Sequence, residues 1–355
     1  MPNLTKTKGG TLLKQFCENS KGIRVARRYS SKINKCRVSI VGLGGVGKGL
    51  AHLLKMYPAN ITELRLCNRS DPEGMVQDLS HIPTNVRTLG FAGAETLSEG
   101  LRDANMVIVT TGVPRKGDNP REELFEHNAN LCRDVISACA KNCPEALLAI
   151  VSNPVDSLVP LAAEVLKHHG AYCAGRLFGV CTLDLMRARY FFADAVGLRP
   201  EKVYVPVVGG HSEKTMVPLF SRSRPRLLLP RDQILELTQK LRLAGKGIVL
   251  AKNGEAGSTW SMASGAWYFV QRLCRAINHA PHVVATAYVE SEVNNSRFFS
   301  NELLLGPDGV EENLGYGPVS DLEEQLIAEA IIHLQSSISR GKEFVAKFTD
   351  DPDEK

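Results

Sequence analysis

The segment VSIVGLGGVGKGLAHLL, Val38 to Leu54, constrains the fold of this chain more than any other. A short apolar run passes into Gly42-Leu-Gly-Gly-Val-Gly47 and then into an amphipathic stretch, so the G-x-G-x-x-G pattern falls at a strand-to-helix turn. Gly42 permits the tight turn, Gly44 lets a pyrophosphate approach the backbone, and Gly47 lets the helix pack closely on the sheet. The helix N-terminus supplies unpaired N–H groups and a positive dipole end for the same anion. The motif alone is weak, and its meaning depends on more strands following at βαβ spacing.

They do follow. VSIVG (38–42), ELRLC (63–67), MVIVTTG (106–112) and LLAIVSN (147–153) read as strands. Two of them are apolar at nearly every residue, as a parallel sheet covered on both faces requires. Between them lie amphipathic helical patterns such as KGLAHLLKMY and ELFEHNANLCRDVISACAKN. The fold class is therefore α/β: an N-terminal Rossmann-type, doubly wound parallel sheet over residues 36–180, with a dinucleotide site. The texture changes after LFGVCTLD, where KVYVPVV and the late extended segment HVVATAYVES are separated by loops and helices. A mixed α/β (α+β) catalytic domain is expected over 181–350, because 355 residues exceed one ordinary core.

Charge excludes one class of partner. The net charge of +5 is concentrated in residues 1–35, where nine Lys and Arg face the single acid Glu18, leaving the remainder at −3. A nucleic-acid role for the folded body loses its support. The basic, acid-poor leader ending RVARRYSSK reads as a transit peptide for the mitochondrial matrix, with a basic arm on a cytoplasmic protein as the alternative. The acidic end TDDPDEK reads as a solvated tail. No apolar run is long enough to span a bilayer, so no membrane association is expected. Nine cysteines, without a C-x-x-C pair or a companion His at ligand spacing, read as reduced thiols and imply no metal.

The chemistry centres on VVGGHSEKT, residues 207–215, where an apolar strand and two glycines precede His211. A lone His at a strand end is commonly a satisfied filler, so it needs partners to count as a catalyst. In LFGVCTLDLMRARYFF, Asp184 and Arg187 share a helix face three residues apart. The carboxylate could orient an imidazole while the guanidinium grips a substrate carboxylate; an intrahelical salt bridge is the bland alternative. Arg115 and Arg121 lie in GVPRKGDNPREELF past the third of these strands, where ligands bind in open α/β sheets and where a loop could close.

The runs DLSHIPTNV, GVPRK, VSNPV, AEVLKHHGAY, RLFGV-TLD, VPVVGGHS and RFFSNELLLG, in order from about residue 37 to about 347, resemble the malate dehydrogenase branch of the lactate/malate dehydrogenase family in its bacterial and mitochondrial version. The resemblance implies reversible hydride transfer between (S)-malate and oxaloacetate, with a small dicarboxylic acid as substrate, NAD as cofactor and a homodimer. It implies His211 as proton donor and acceptor paired with Asp184, and Arg187 on the carboxylate next to the reacting carbon. Arg115 would bind the distal carboxylate, Arg121 would polarise the carbonyl, and Asn153 would contact substrate and cofactor. The cofactor would be held by Gly42, Gly44, Gly45, Val46, Gly47, Asn68, Asn128, Val151, Asn153 and Met262.

The chain also departs from the family pattern. Asn68 and Arg69 stand in LCNRSD, where NAD-specific members carry an Asp that takes the ribose hydroxyls, so NADP is possible. The glycine loop is one residue shorter than usual. Asp156, Cys181 and Glu213 replace residues usually Asn, Thr and Gly; Asp118, Asp156 and Glu213 are expected to add negative charge near an anion site and weaken substrate binding. GSTWSM (257–262) is expected to line the nicotinamide side, with Trp260 a packed aromatic. Two rivals follow: a related 2-hydroxyacid dehydrogenase with shifted substrate or NADP preference, and a non-catalytic dinucleotide-binding sensor.

Overall fold

The computed structural model describes residues 35–113, 121–292 and 296–349; the leader and the acidic tail from residue 350 fall outside the described residues. Six strands alternate with helices: β1 (Cys36–Val41), α1 (Gly45–Met56), β2 (Ile61–Asn68), α2 (Glu73–Ser80), β3 (Arg87–Ala92), α3 (Leu97–Leu101), β4 (Met106–Val109), α4 (Arg121–Asn142), β5 (Leu147–Ile150), α5 (Val155–His168) and β6 (Leu177–Gly179). These strands are parallel in the order 3-2-1-4-5-6, the doubly wound arrangement expected from the sequence. The strand order reverses between β1 and β4, which opens a crevice at their C-terminal ends, where the glycine turn lies.

β4 shows why the inner strands β4 and β5 are apolar throughout. Met106 and Ile108 enter the core beneath α1 and α8 (Trp260–Ile277), whereas Val107 and Val109 enter the opposite core with α4, α5 and α9 (Asp321–Thr349). Successive side chains of a strand point to opposite faces, so a sheet covered on both sides needs an apolar residue at every position. In α1, Leu50 and Leu54 are fully buried. Each contributes about 1.5–3 kcal/mol relative to exposure, which fixes the helix against the sheet and its N-terminus beside the crevice.

The second half is antiparallel and continues the same sheet. α6 (Thr182–Ala195) leads to the short β7 (Val207–Gly209) and β8 (Met216–Pro218), and then to α7 (Arg231–Ala251) and α8. β9 (Val283–Glu290) adds to β6, β10 (Phe298–Gly306) pairs with β9 and β7, and β11 (Gly309–Gly315) closes the edge against β10. The run KVYVPVV, read as a strand, forms β7 only at its end, and Tyr204 before it makes an isolated bridge to Arg224. A third core of Phe192, Val203, Val205, Val207, Phe220 and Leu241 ties α6 and α7 to β7 and sets the position of the loop that follows.

Candidate active site

The turn after β1 fits a dinucleotide phosphate. Gly42 has φ +101°, and a Cβ there would lie 2.6 Å from the Thr111 nitrogen. At Gly47 a Cβ would lie 2.0 Å from the Gly42 oxygen, so both positions exclude a side chain. A Cβ on Gly44 would meet nothing within 4 Å, so that backbone borders open space at the N-terminus of α1. The first turn of α1 carries no acidic residue and Gly44 makes no side-chain cap, which leaves its N–H groups for an anion.

The histidine loop is held from below by two carboxylates. Gly209 has φ +96°, and a Cβ there would overlap the Thr215 oxygen at 2.0 Å. On Gly210 it would lie 2.7 Å from Asp156 Oδ1. The backbone thus approaches its own loop and α5, which is what the two glycines provide. The His211 N–H donates to Asp156 Oδ1 at 2.6 Å, and the Thr215 hydroxyl donates to Asp156 Oδ2 at 2.7 Å. Asp156 is 3% exposed, so the expectation that it charges the substrate cleft is corrected: it lies behind the loop and anchors it. Burial raises its pKa, and the hydrogen bonds from Thr215 and His211 oppose that rise.

His211 Nδ1 lies 2.6 Å from Asp184 Oδ2, and Asp184 is fully buried in the first turn of α6. Burial is the largest single influence on the imidazole and lowers its pKa. The charge and hydrogen bond of Asp184, joined by Cys181, outweigh burial and carry His211 well above the ordinary imidazole value. Arg187, one turn along α6, donates from Nη2 to Ser258 Oγ at 2.6 Å. Asp184 is thus engaged by His211 and Arg187 by Ser258, an arrangement different from the bland intrahelical ion pair. Burial lowers the Arg187 pKa and Asp184 raises it. Ser258 was not singled out as a partner of Arg187, and nothing in its spacing indicates one, since 71 residues separate them.

Asn128 is buried on α4; its Oδ1 accepts from the Val113 N–H at 2.9 Å and its Nδ2 donates to the Asn153 carbonyl at 2.8 Å. It fastens the end of the β4 loop to the end of β5, where Asn153 is exposed. Arg115 and Asp118 lie outside the described residues, as does the side chain of Arg121, which opens α4. Val151 and Met262 are buried in the core beneath α1 and α8. Glu213 is half-buried in the histidine loop. Trp260 corrects an expectation: it is 74% exposed, because α8 buries the stripe through Met262, Ala266, Phe269 and Leu273 and Trp260 stands off that stripe.

At the end of β2, Asn68 Oδ1 accepts from the Leu43 N–H at 3.1 Å, and Nδ2 donates to the Ser70 carbonyl and hydroxyl at 3.1 and 2.8 Å. Asn68 therefore holds the glycine loop, and Arg69 beside it is exposed. A surface cavity of about 500 Å3 bordered by Arg37, Asn105, Leu147 and Arg176 lies at the opposite, N-terminal ends of the strands and contains none of these groups.

Comparison with known proteins places the chain in a family. Residues 36–179 match the lactate/malate dehydrogenase NAD binding domain, and residues 181–345 match the lactate/malate dehydrogenase alpha/beta C-terminal domain. The chain is 42% identical over 326 residues to a mitochondrial malate dehydrogenase of Felis catus, covering 91% of this chain and 96% of that one. With the corresponding Homo sapiens protein it shares 41% over 317 residues, covering 89% and 94%. Among solved structures, Cryptosporidium parvum malate dehydrogenase superposes with a TM-score of 0.75 at 24% identity, covering 87% of this chain and all of that one. A lactate dehydrogenase from Cryptosporidium parvum, complexed with lactic acid and nicotinamide adenine dinucleotide, gives 0.75 at 19% identity, covering 88% and 99%. Those two structures bear on the fold alone. With both domain models matched in order and two-fifths identity across nine-tenths of its length, the chain belongs to the lactate/malate dehydrogenase family.

Proposed function

We propose that this protein is an NAD-dependent malate dehydrogenase that interconverts (S)-malate and oxaloacetate. The observation that carries the proposal is the His211 imidazole bonded to fully buried Asp184, with Arg187 one turn away and the glycine turn at the same end of the sheet. When bound, the nicotinamide supplies or accepts the hydride. Asp184 holds Nδ1 and leaves Nε2 to give a proton to the carbonyl oxygen of a keto acid or to take one from a hydroxyl. Arg187, steadied by Ser258, binds the carboxylate next to the reacting carbon. Arg115 takes the distal carboxylate, Arg121 polarises the carbonyl, and Asn153 contacts substrate and cofactor. The 42% identity to a mitochondrial malate dehydrogenase supports the diacid over a monoacid.

Initial rates of NADH consumption with oxaloacetate, pyruvate and phenylpyruvate test the reading. Oxaloacetate is expected to be the best substrate. Arg115→Gln is expected to cut the oxaloacetate-to-pyruvate preference by ~10²-fold or more, because a guanidinium left without a carboxylate partner penalises the monoacid and its removal lifts the penalty. An unchanged ratio contradicts the role of Arg115, and cofactor binding without turnover of any 2-oxo acid supports the sensor.

NAD is the cofactor we propose, supported by the match to an NAD binding domain, and the end of β2 favours a second activity with NADP. A carboxylate there repels a 2′-phosphate, whereas Asn68 is neutral and Arg69 cationic. At equal subsaturating concentration NADH is expected to react faster, with NADPH measurable. Asn68→Asp is expected to widen the gap by ~10-fold or more, and no change would show that residue 68 does not discriminate.

We further propose a homodimer in the mitochondrial matrix. The exposed Leu235, Leu243 and Leu250 of α7 and the mitochondrial relatives support the two parts of that statement. Sedimentation equilibrium and import of the full chain into isolated mitochondria test them; a monomer, or a chain left outside the organelle, contradicts them.

A further inference from the structure

Cys181, Asp184 and His211 each offer one ligand atom, and the three atoms lie within 4.8 Å of one another. Cys181 caps the N-terminus of α6, Asp184 lies in its first turn, and His211 arrives from the loop after β7. Spacing along the chain hides the cluster, because 27 residues separate the carboxylate from the imidazole. Two features go beyond proximity. Asp184 Oδ1 is buried with no hydrogen-bond partner among the described residues, and an unpaired buried carboxylate oxygen is unfavourable unless a donor or cation meets it. Cys181 is 1% exposed, and its thiol lies within hydrogen-bond reach of the His211 ring.

We propose that Cys181, Asp184 and His211 form an inhibitory site for a thiophilic divalent cation of the Zn2+ type. Thiolate, imidazole and carboxylate are a Zn2+ donor set, and three protein ligands leave a fourth position for water or substrate. The two anionic ligands cancel the charge of the ion, which a buried site requires. Zn2+ bonds of about 2.0–2.3 Å place tetrahedral ligands roughly 3.3–3.8 Å apart. The 2.6 Å contact between Asp184 and His211 must therefore open by about 1 Å, while the three ligand atoms, all within 4.8 Å of one another, are drawn to that common spacing.

The exchange is one of protons, with no change of oxidation state. Binding releases the Cys181 proton to solvent, and a second from His211 when the ring is imidazolium, so affinity rises with pH. With the ion on Nδ1 the ring keeps its Nε2 proton and can no longer become imidazolium, so His211 cannot cycle a proton, and Asp184 no longer orients it. The inhibition rests on the catalytic reading of His211 above; the binding of the ion does not.

Cobalt(II) added to the purified full-length chain probes binding without turnover. One Co2+ per chain with a thiolate-to-cobalt charge-transfer absorption is expected, and Cys181→Thr is expected to lose that absorption. Zn2+ should inhibit oxaloacetate reduction in competition with oxaloacetate, reversibly with EDTA. In Cys181→Thr the concentration for half-inhibition, measured against that variant's own rate, should rise by about 100-fold. Cys173→Ser, which removes the exposed thiol, should change neither readout. No charge-transfer absorption in the unmodified chain, absorption that persists in Cys181→Thr, or equal Zn2+ sensitivity of the two overturns the proposal. A chain that binds Co2+ through Cys181 and turns over no 2-oxo acid retains the ion site and refutes the catalytic reading instead.

Discussion

Asp156 illustrates how much a single buried carboxylate can decide. Its two oxygens accept the His211 N–H and the Thr215 hydroxyl, so it fixes the height and direction of the histidine loop from the first turn of α5. Asp156→Ala leaves both donors without an acceptor and is expected to destabilise by about 1–3 kcal/mol for each, as read by urea unfolding. Asp156→Asn keeps the acceptor for His211 and can donate to Thr215, so it should be far milder. Both variants also remove a pH dependence. Burial raises the Asp156 pKa above its unfolded value, so between those two values the native chain holds the proton more tightly and stability falls as pH rises. Asp156→Asn removes that fall, and its stability relative to the unmodified chain should increase through the same window. A constant difference at all pH values contradicts the assignment. None of this was legible in the sequence, where Asp156 reads as a charge near an anion site, because its partner lies 55 residues away.

At the scale of elements, the turn from β1 into α1 separates two roles of glycine. Gly44→Ala meets no atom and Gly44 has φ −72°, so the fold should keep its Tm while cofactor affinity drops about 10-fold or more as the methyl occupies the ligand's approach. Gly47→Ala drives a Cβ into the Gly42 carbonyl and should destabilise by about 1–3 kcal/mol. Thermal unfolding with NADH titration checks both, and equal losses of stability would contradict the distinction. β4 and β5 were legible because burial on both faces forces unbroken apolar runs, and β1 because its apolar end runs straight into the glycine turn. β3 was not: at the edge of the sheet RTLGFA is half-covered and alternates only loosely. Trp260 was misread for a related reason, since an aromatic at a helix start carries no signal of which side it faces.

For the whole molecule, one continuous sheet links the cofactor turn to the histidine loop. The parallel half places Gly44 at the end of β1, and the antiparallel half returns through β9 and β10 to β7, which delivers His211 to Asp184 at the start of α6. Sequence motifs identified both halves and named the imidazole and carboxylate that the fold brings to 2.6 Å of each other. They did not reveal the supports, Asp156, Ser258 and the Asn68 bond to Leu43, which depend on how distant segments meet. The central claim is that Asp184 holds His211 protonated and oriented for proton transfer. Its most direct test is the pH dependence of kcat/KM for oxaloacetate reduction in the unmodified chain and in Asp184→Asn. Since reduction needs the imidazolium, the unmodified profile should fall only above the ordinary imidazole range. Asp184→Asn should lower kcat/KM by about 10²–10⁴-fold and move the alkaline fall to lower pH. An alkaline limb at the same pH in both, with kcat/KM retained, would contradict it.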